Sequence, residues 1–104
     1  MAVQVVNDSD QHRYEIRVDG TPVGFAAYEE QPGVLTFTHT EIDPAYEGKG
    51  LGSVLARAAL EGTRTNGQQA VPLCPFITDY IRRHPQYLDT VVPERRAAIQ
   101  EADD

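Results

Sequence analysis

Tryptophan is absent, methionine and cysteine occur once each, and the 104 residues include only three phenylalanines. A single cysteine, Cys74, cannot close an internal disulfide. That usage points to a reducing compartment, and the chain is expected to be cytoplasmic. No apolar run approaches the roughly 20 residues that a membrane-spanning helix needs. Met1-Ala2-Val3-Gln4-Val5 has neither the basic start nor the apolar core of a secretory signal. Positive charge is also scarce, with 9 Lys and Arg against 16 Asp and Glu and a net charge of −7. Without a basic stripe to displace counterions, a nucleic-acid partner is excluded. His12, His39, His84 and Cys74 lack the spacing of metal ligands, so no metal is expected. Repeats and low-complexity stretches are missing too, and the length allows one domain, 1–104, with one modest core.

The charge that is present is lopsided. Residues 1–47 carry nine acidic side chains against Arg13 and Arg17, whereas residues 48–104 are neutral overall. An anionic ligand is therefore better tolerated by the second half, and the acidic half can steer a cationic one.

The first half reads as strands. Val3–Val6 is a short one, and His12 to Val18 alternates, with His12, Tyr14, Ile16 and Val18 on one face. Asp19-Gly20 and Gln31-Pro32-Gly33 are turns on either side of a strand over Pro22–Glu29. Val34–Ile42 is the longest expected strand, with Leu35, Phe37, His39 and Glu41 on one face. The period then becomes helical: Leu51, Val54, Leu55, Ala58 and Ala59 give a helix from Gly50 to about Thr65, ended by Asn66-Gly67. A short strand, Gln69–Leu73, precedes a helix that Pro75 opens and Pro85 stops. Pro93 to Ala102 is a last helix. The order predicts an α/β (α+β) fold, an antiparallel N-terminal meander followed by β-α-β-α. A right-handed crossover then makes Gln69–Leu73 parallel to Val34–Ile42.

Gly48, Gly50 and Gly52 fall at alternate positions between the long strand and its helix. Such a loop lets successive N–H groups point at one anion, and the helix N-terminus adds favourable potential. Lys49 adds a charge and Ser53 a hydroxyl. The Walker phosphate loop is excluded, because no lysine and Ser/Thr directly follow the last glycine. The dinucleotide fingerprint needs glycine where Ser53 stands, and belongs after a first strand, not a fourth.

The segment Glu47-Gly48-Lys49-Gly50-Leu51-Gly52 resembles the pyrophosphate loop Gln/Arg-x-x-Gly-x-Gly/Ala of the GNAT superfamily of acyl-CoA N-acyltransferases. His39-Thr40-Glu41 and Pro72-Leu73-Cys74-Pro75-Phe76, followed by Tyr80-Ile81-Arg82-Arg83-His84-Pro85-Gln86-Tyr87, narrow this to the minimal GNAT-like subgroup. The resemblance implies acetyl-CoA as cofactor and an acetyl group transferred to an amine, by direct attack or via acetyl-Cys74. Glu47 departs from the Gln/Arg position, which leaves the grip to backbone N–H groups. Also missing are the two helices that build much of the acceptor site, since only Asn7–Gln11 separates the first two strands. Their absence motivates an alternative, a non-catalytic acyl-CoA-binding or partner-binding module of the same fold. It also leaves the acceptor and the oligomeric state undefined.

The expected cofactor contacts are Ile42, Gly48, Lys49, Gly50, Leu51, Gly52, Ser53 and Cys74. Ile42 ends the strand whose backbone, by the resemblance, bonds the pantetheine arm. Cys74 follows the C-terminal end of a parallel strand, where ligands gather, and opens a helix. It is the candidate nucleophile, with a small buried hydrophobe as the other reading. His39 and Glu41, on one face near a strand end, are candidate general bases, and the resemblance implies Tyr80 as the candidate acid for the leaving thiolate, with a packing residue as the other reading. His12 and His84 read as structural.

Overall fold

The computed structural model describes residues 2–101. Five strands run β1 (Val3–Asp8), β2 (Arg13–Val18), β3 (Thr21–Gln31), β4 (Val34–Ile42) and β5 (Gln69–Pro72). They form one sheet in the order β1-β2-β3-β4-β5. The first four are antiparallel neighbours, and β5 lies parallel to β4 as the crossover rule requires. Helix α1 (Leu51–Thr65) makes the crossover. Helix α2 (Pro75–Arg83), a 3₁₀ stretch over Pro85–Thr90 that the sequence did not reveal, and α3 (Pro93–Glu101) complete the chain. Ala102, the expected end of α3, lies outside the described residues. No helix is long and apolar enough to cross a membrane, among the described residues.

The expected elements extend where turn chemistry is tight. Asp19 and Gly20 both have positive φ, 51° and 84°, the two-residue turn that matches strand twist. Short turns at both its ends leave β3 eleven residues long, so β3 rather than β4 is the longest strand. Tyr14, Ile16, Val18, Ala26, Tyr28, Leu35 and Phe37 are buried in one core with Leu51, Leu55, Ala59 and Leu60 of α1. Full burial of each large aliphatic chain is worth about 1.5–3 kcal/mol. On the other face, Glu15 is buried as well, because Arg13 and Arg17 each bind one of its carboxylate oxygens at 2.8 Å.

The expected faces of β4 need correction. Ala27 pairs with His39 but Tyr28 with Phe37, so Thr38 is one residue too many and forms a bulge. A bulge reverses the alternation that follows it. Leu35 and Phe37 face the core, whereas His39 and Glu41 turn to the opposite face and are exposed. Thr40 and Ile42 take the core side in their place, as the pairing of Thr40 with buried Ala26 shows. The β4–β5 ladder stops at the same point, its last pair being Phe37 and Pro72. The Phe37 carbonyl accepts from the N–H of both Leu73 (2.9 Å) and Cys74 (3.1 Å).

The C-terminal segment is fixed to the sheet by Val92 N–H donating to the Ala70 carbonyl at 3.0 Å. It is fixed to α1 by the Tyr87 hydroxyl, which donates to Glu61 Oε2 at 2.7 Å. Burial first, and then this hydrogen bond, push the Tyr87 phenol from 10.0 up to about 12. Burial raises Tyr14 and Tyr28 in the same direction. A raised acid is held neutral by the fold, so its contribution is complete below the unfolded pKa and disappears as pH climbs through the folded one. Urea unfolding is therefore expected to show stability falling between pH 10 and 12. Tyr87→Phe should cost about 1 kcal/mol at neutral pH and make that alkaline fall shallower. An identical alkaline fall in both proteins would refute the assignment.

Candidate active site

The fork between β4 and β5 opens onto two cavities. The first, about 390 Å³, is lined by Thr40, Ile42, Tyr46, Glu47, Gly48, Gly50, Leu51, Gly52, Ser53, Phe76 and Arg83. The second, about 820 Å³, is lined by Thr38, His39, Thr40, Leu73, Cys74, Pro75, Phe76, Thr78, Asp79 and Arg82. Thr40 and Phe76 belong to both, and are the partition between them.

In the first cavity the three glycines serve different purposes. Gly48 and Gly50 have φ of 80° and 75°, and a Cβ on either would meet nothing within 4 Å. Here glycine supplies the left-handed backbone. Gly50 caps α1 with no side-chain hydrogen bond, so the cap leaves the first N–H groups of that helix without a side-chain partner of its own. That is a ready anion cradle. Gly52 is helical, and a Cβ there would lie 2.4 Å from Phe76 Cζ. Its role is to let the Phe76 ring close over the start of α1.

Of the expected cofactor contacts, Ile42, Gly48, Gly50, Leu51, Gly52 and Ser53 line this cavity together. Lys49 is exposed and stays outside the lining, and Cys74 lies in the second cavity. Sequence reasoning missed Tyr46, Phe76 and Arg83. Asp43 accepts from Ala45 N–H at 2.9 Å and starts the 3₁₀ turn that brings Tyr46 in. The Asp-Pro pair was the available signal for that turn. Arg83 arrives from α2, more than 30 positions along the chain, with no local signal.

In the second cavity, Cys74 caps α2 and is buried. Its Sγ lies 3.2 Å from Oγ1 of Thr40, one of the two residues of the partition. His39 lines the same cavity, and its Nε2 is 2.9 Å from Glu41 Oε2. Both side chains are 60% exposed. Glu41 itself lines a third hollow on the open sheet face, with Arg13, Glu15 and Phe25. The fork thus places His39 and Cys74 in one cavity and attaches Glu41 through His39.

Tyr80 is not in that cavity. It is buried, stacked on His84 with ring centroids 4.1 Å apart, and lines a cleft with Ser53, Val54, Arg57 and His84. Ser53 is common to this cleft and the glycine-loop cavity. His84 Nδ1 is 2.9 Å from the Tyr80 carbonyl at the end of α2, and the His12 ring meets Tyr28 edge-on. Among the described residues, no three His, Cys, Asp or Glu side chains converge as metal ligands do.

The family model for GCN5-related N-acetyl-transferase matches residues 13–91. Protein NATD1 of Gallus gallus is 30% identical over 95 residues, 88% of this chain and 86% of the relative. Protein NATD1 of Mus musculus is 28% identical over the same shares. The NMR solution structure of a GCN5-like protein from Staphylococcus aureus superimposes with a TM-score of 0.65 at 18% identity. It covers 86% of this chain and 87% of that one, a likeness of fold.

The division among the glycines gives a direct test. Gly50→Ala is expected to lose about 1–2 kcal/mol in urea unfolding, because alanine resists the left-handed region. Gly52→Ala gains about 1 kcal/mol of helix propensity. That gain offsets displacement of the half-exposed Phe76 ring, so net stability should change little. Equal losses in the two variants would show that the glycines do not differ in this way.

Proposed function

We propose, because the chain belongs to the GCN5-related N-acetyltransferase family, that it binds acetyl-CoA across the two cavities and transfers the acetyl group to an amine in the cytoplasm. The observation that carries this reading is the shared partition at Thr40 and Phe76. A single elongated ligand entering at the glycine loop reaches the neighbourhood of Cys74 only past those two side chains.

The residues fit the cofactor's chemistry. The uncapped start of α1 and the left-handed Gly48 and Gly50 suit a diphosphate. From Thr38 to Ile42, β4 has no β5 partner among the described residues, which leaves its edge to bond an amide-bearing arm. When bound, acetyl-CoA supplies an acyl group activated as a thioester. Cys74 Sγ, beside the Thr40 hydroxyl, is the proposed station for that acyl group in transit, its bond to the acyl carbon replacing the bond to the CoA sulfur and its thiol proton passing to that departing sulfur. His39, oriented by Glu41, takes the proton of the attacking amine within the 820 Å³ acceptor cavity. Tyr80, the expected donor to the departing thiolate, lines a separate cleft that shares Ser53 with the glycine-loop cavity, at the phosphate end of the ligand, and is not assigned that role.

Titration with acetyl-CoA should saturate with micromolar affinity, whereas ATP should not bind. Mass spectrometry after incubation with acetyl-CoA should find one added acetyl group, absent in Cys74→Ala. An unchanged mass with an amine still acetylated would mean direct attack without the covalent station. Binding without acetylation of any amine in a library would favour the non-catalytic module, and absence of CoA binding would sink both.

A further inference from the structure

We infer that Arg83 supplies the positive charge that the glycine loop does not bring to the cavity lining, by pairing with the diphosphate of the bound cofactor. This rests on the cofactor reading above and asks which side chain neutralises the anion. Among the described residues lining the glycine-loop cavity, Glu47 is the one carboxylate and Arg83 the one cation. Backbone N–H groups offer only partial charges. Beside Glu47 they face an anion already opposed by a full negative charge, and Lys49 lies outside the lining. A cation delivered from elsewhere in the fold answers that deficit.

The delivery is built into α2. Pro75 opens the helix and Arg83 is its last residue, so the helix lines the glycine-loop cavity near both its ends, through Phe76 and Arg83. The arginine at the preceding position, Arg82, lines the other cavity, so the helix end gives one arginine to each. Arg83 is held at 2.9 Å by Asp79 Oδ2, one helical turn earlier. That pair is solvent-exposed, with side chains 61% and 50% accessible, and such pairs are weak and easily exchanged. Asp79 also contacts Arg82 at 3.2 Å, so it keeps a cationic partner when Arg83 turns away. A phosphate offers the guanidinium two parallel charge-assisted hydrogen bonds in place of one exposed pair. Asp79 is thus a resting place for Arg83, and the diphosphate its destination.

Calorimetric titration of the full chain at constant ionic strength tests this with CoA, 3′-dephospho-CoA and pantetheine as probes. Arg83→Ala should weaken CoA binding about tenfold or more, and Arg83→Lys by less. Glu47→Gln should strengthen it. The loss in Arg83→Ala should be the same for 3′-dephospho-CoA and vanish for pantetheine, which has no phosphate. Undiminished CoA affinity in Arg83→Ala, with an unchanged melting temperature, would overturn the inference while leaving the cofactor reading intact. A loss that disappears with 3′-dephospho-CoA would overturn the diphosphate assignment. A wild-type chain that binds no CoA would remove the cofactor reading itself.

Discussion

The rest of the site depends on one irregularity in backbone pairing, the extra residue at Thr38. Up to Phe37, β4 is an ordinary central strand, paired on both sides and burying alternate side chains. The bulge reverses the faces and increases local twist, and parallel pairing with β5 cannot follow it. The Phe37 carbonyl takes the last two N–H groups of the departing chain, Leu73 and Cys74, so the fork has a fixed vertex. Without the bulge, His39 and Glu41 would face the core, and Thr40 could not meet Cys74. A buried cysteine, an exposed histidine and an unpaired strand edge all follow from the same insertion.

The vertex also explains why so small a chain can present two cavities. Phe76 leans over Gly52 because that position has no Cβ, and its ring with Thr40 divides the open fork. One side is a backbone cradle at a helix N-terminus, suited to charge. The other is a larger hollow walled by Cys74, His39 and the first turns of α2. Aromatic closure and backbone opening are thus provided by neighbouring residues of a single loop and helix, and no extra layer is needed.

Electrostatics is handled locally rather than by net charge. The acidic first half contains its most buried carboxylate, Glu15, between two arginines, since a lone buried charge would cost several kcal/mol. The glycine loop has the opposite problem, a carboxylate where an anion is expected, and the one cation lining its cavity among the described residues comes from α2. An overall charge of −7 describes the surface and says little about either site.

Periodicity and turn chemistry alone determined the order of the elements. Alternation up to Val18, Asp19-Gly20, Pro75 and Asn66-Gly67 each act within a few residues, and the structure follows them, except that His12 stands in the turn before β2 with φ of 53° rather than on the strand's face. Six of the residues expected at the loop and strand end line one cavity for the same reason: a glycine run after a strand is a local signal with a local consequence. The 3₁₀ stretch, the bulge and Arg83 were not legible. A bulge is decided by cross-strand pairing, since only the register of Tyr28 with Phe37 and Ala27 with His39 reveals the surplus residue. A two-period face assignment must therefore fail at Thr38, however clear the pattern looks. Arg83 is equally silent in sequence, because its charge matters only where α2 folds back against the loop. The chain by itself determined which segments are strands and helices and where an anion can be cradled, because those depend on neighbours in sequence. Tertiary structure decided which side chains face the fork and which cation lines the cavity with Glu47, because those depend on packing between segments far apart in the chain.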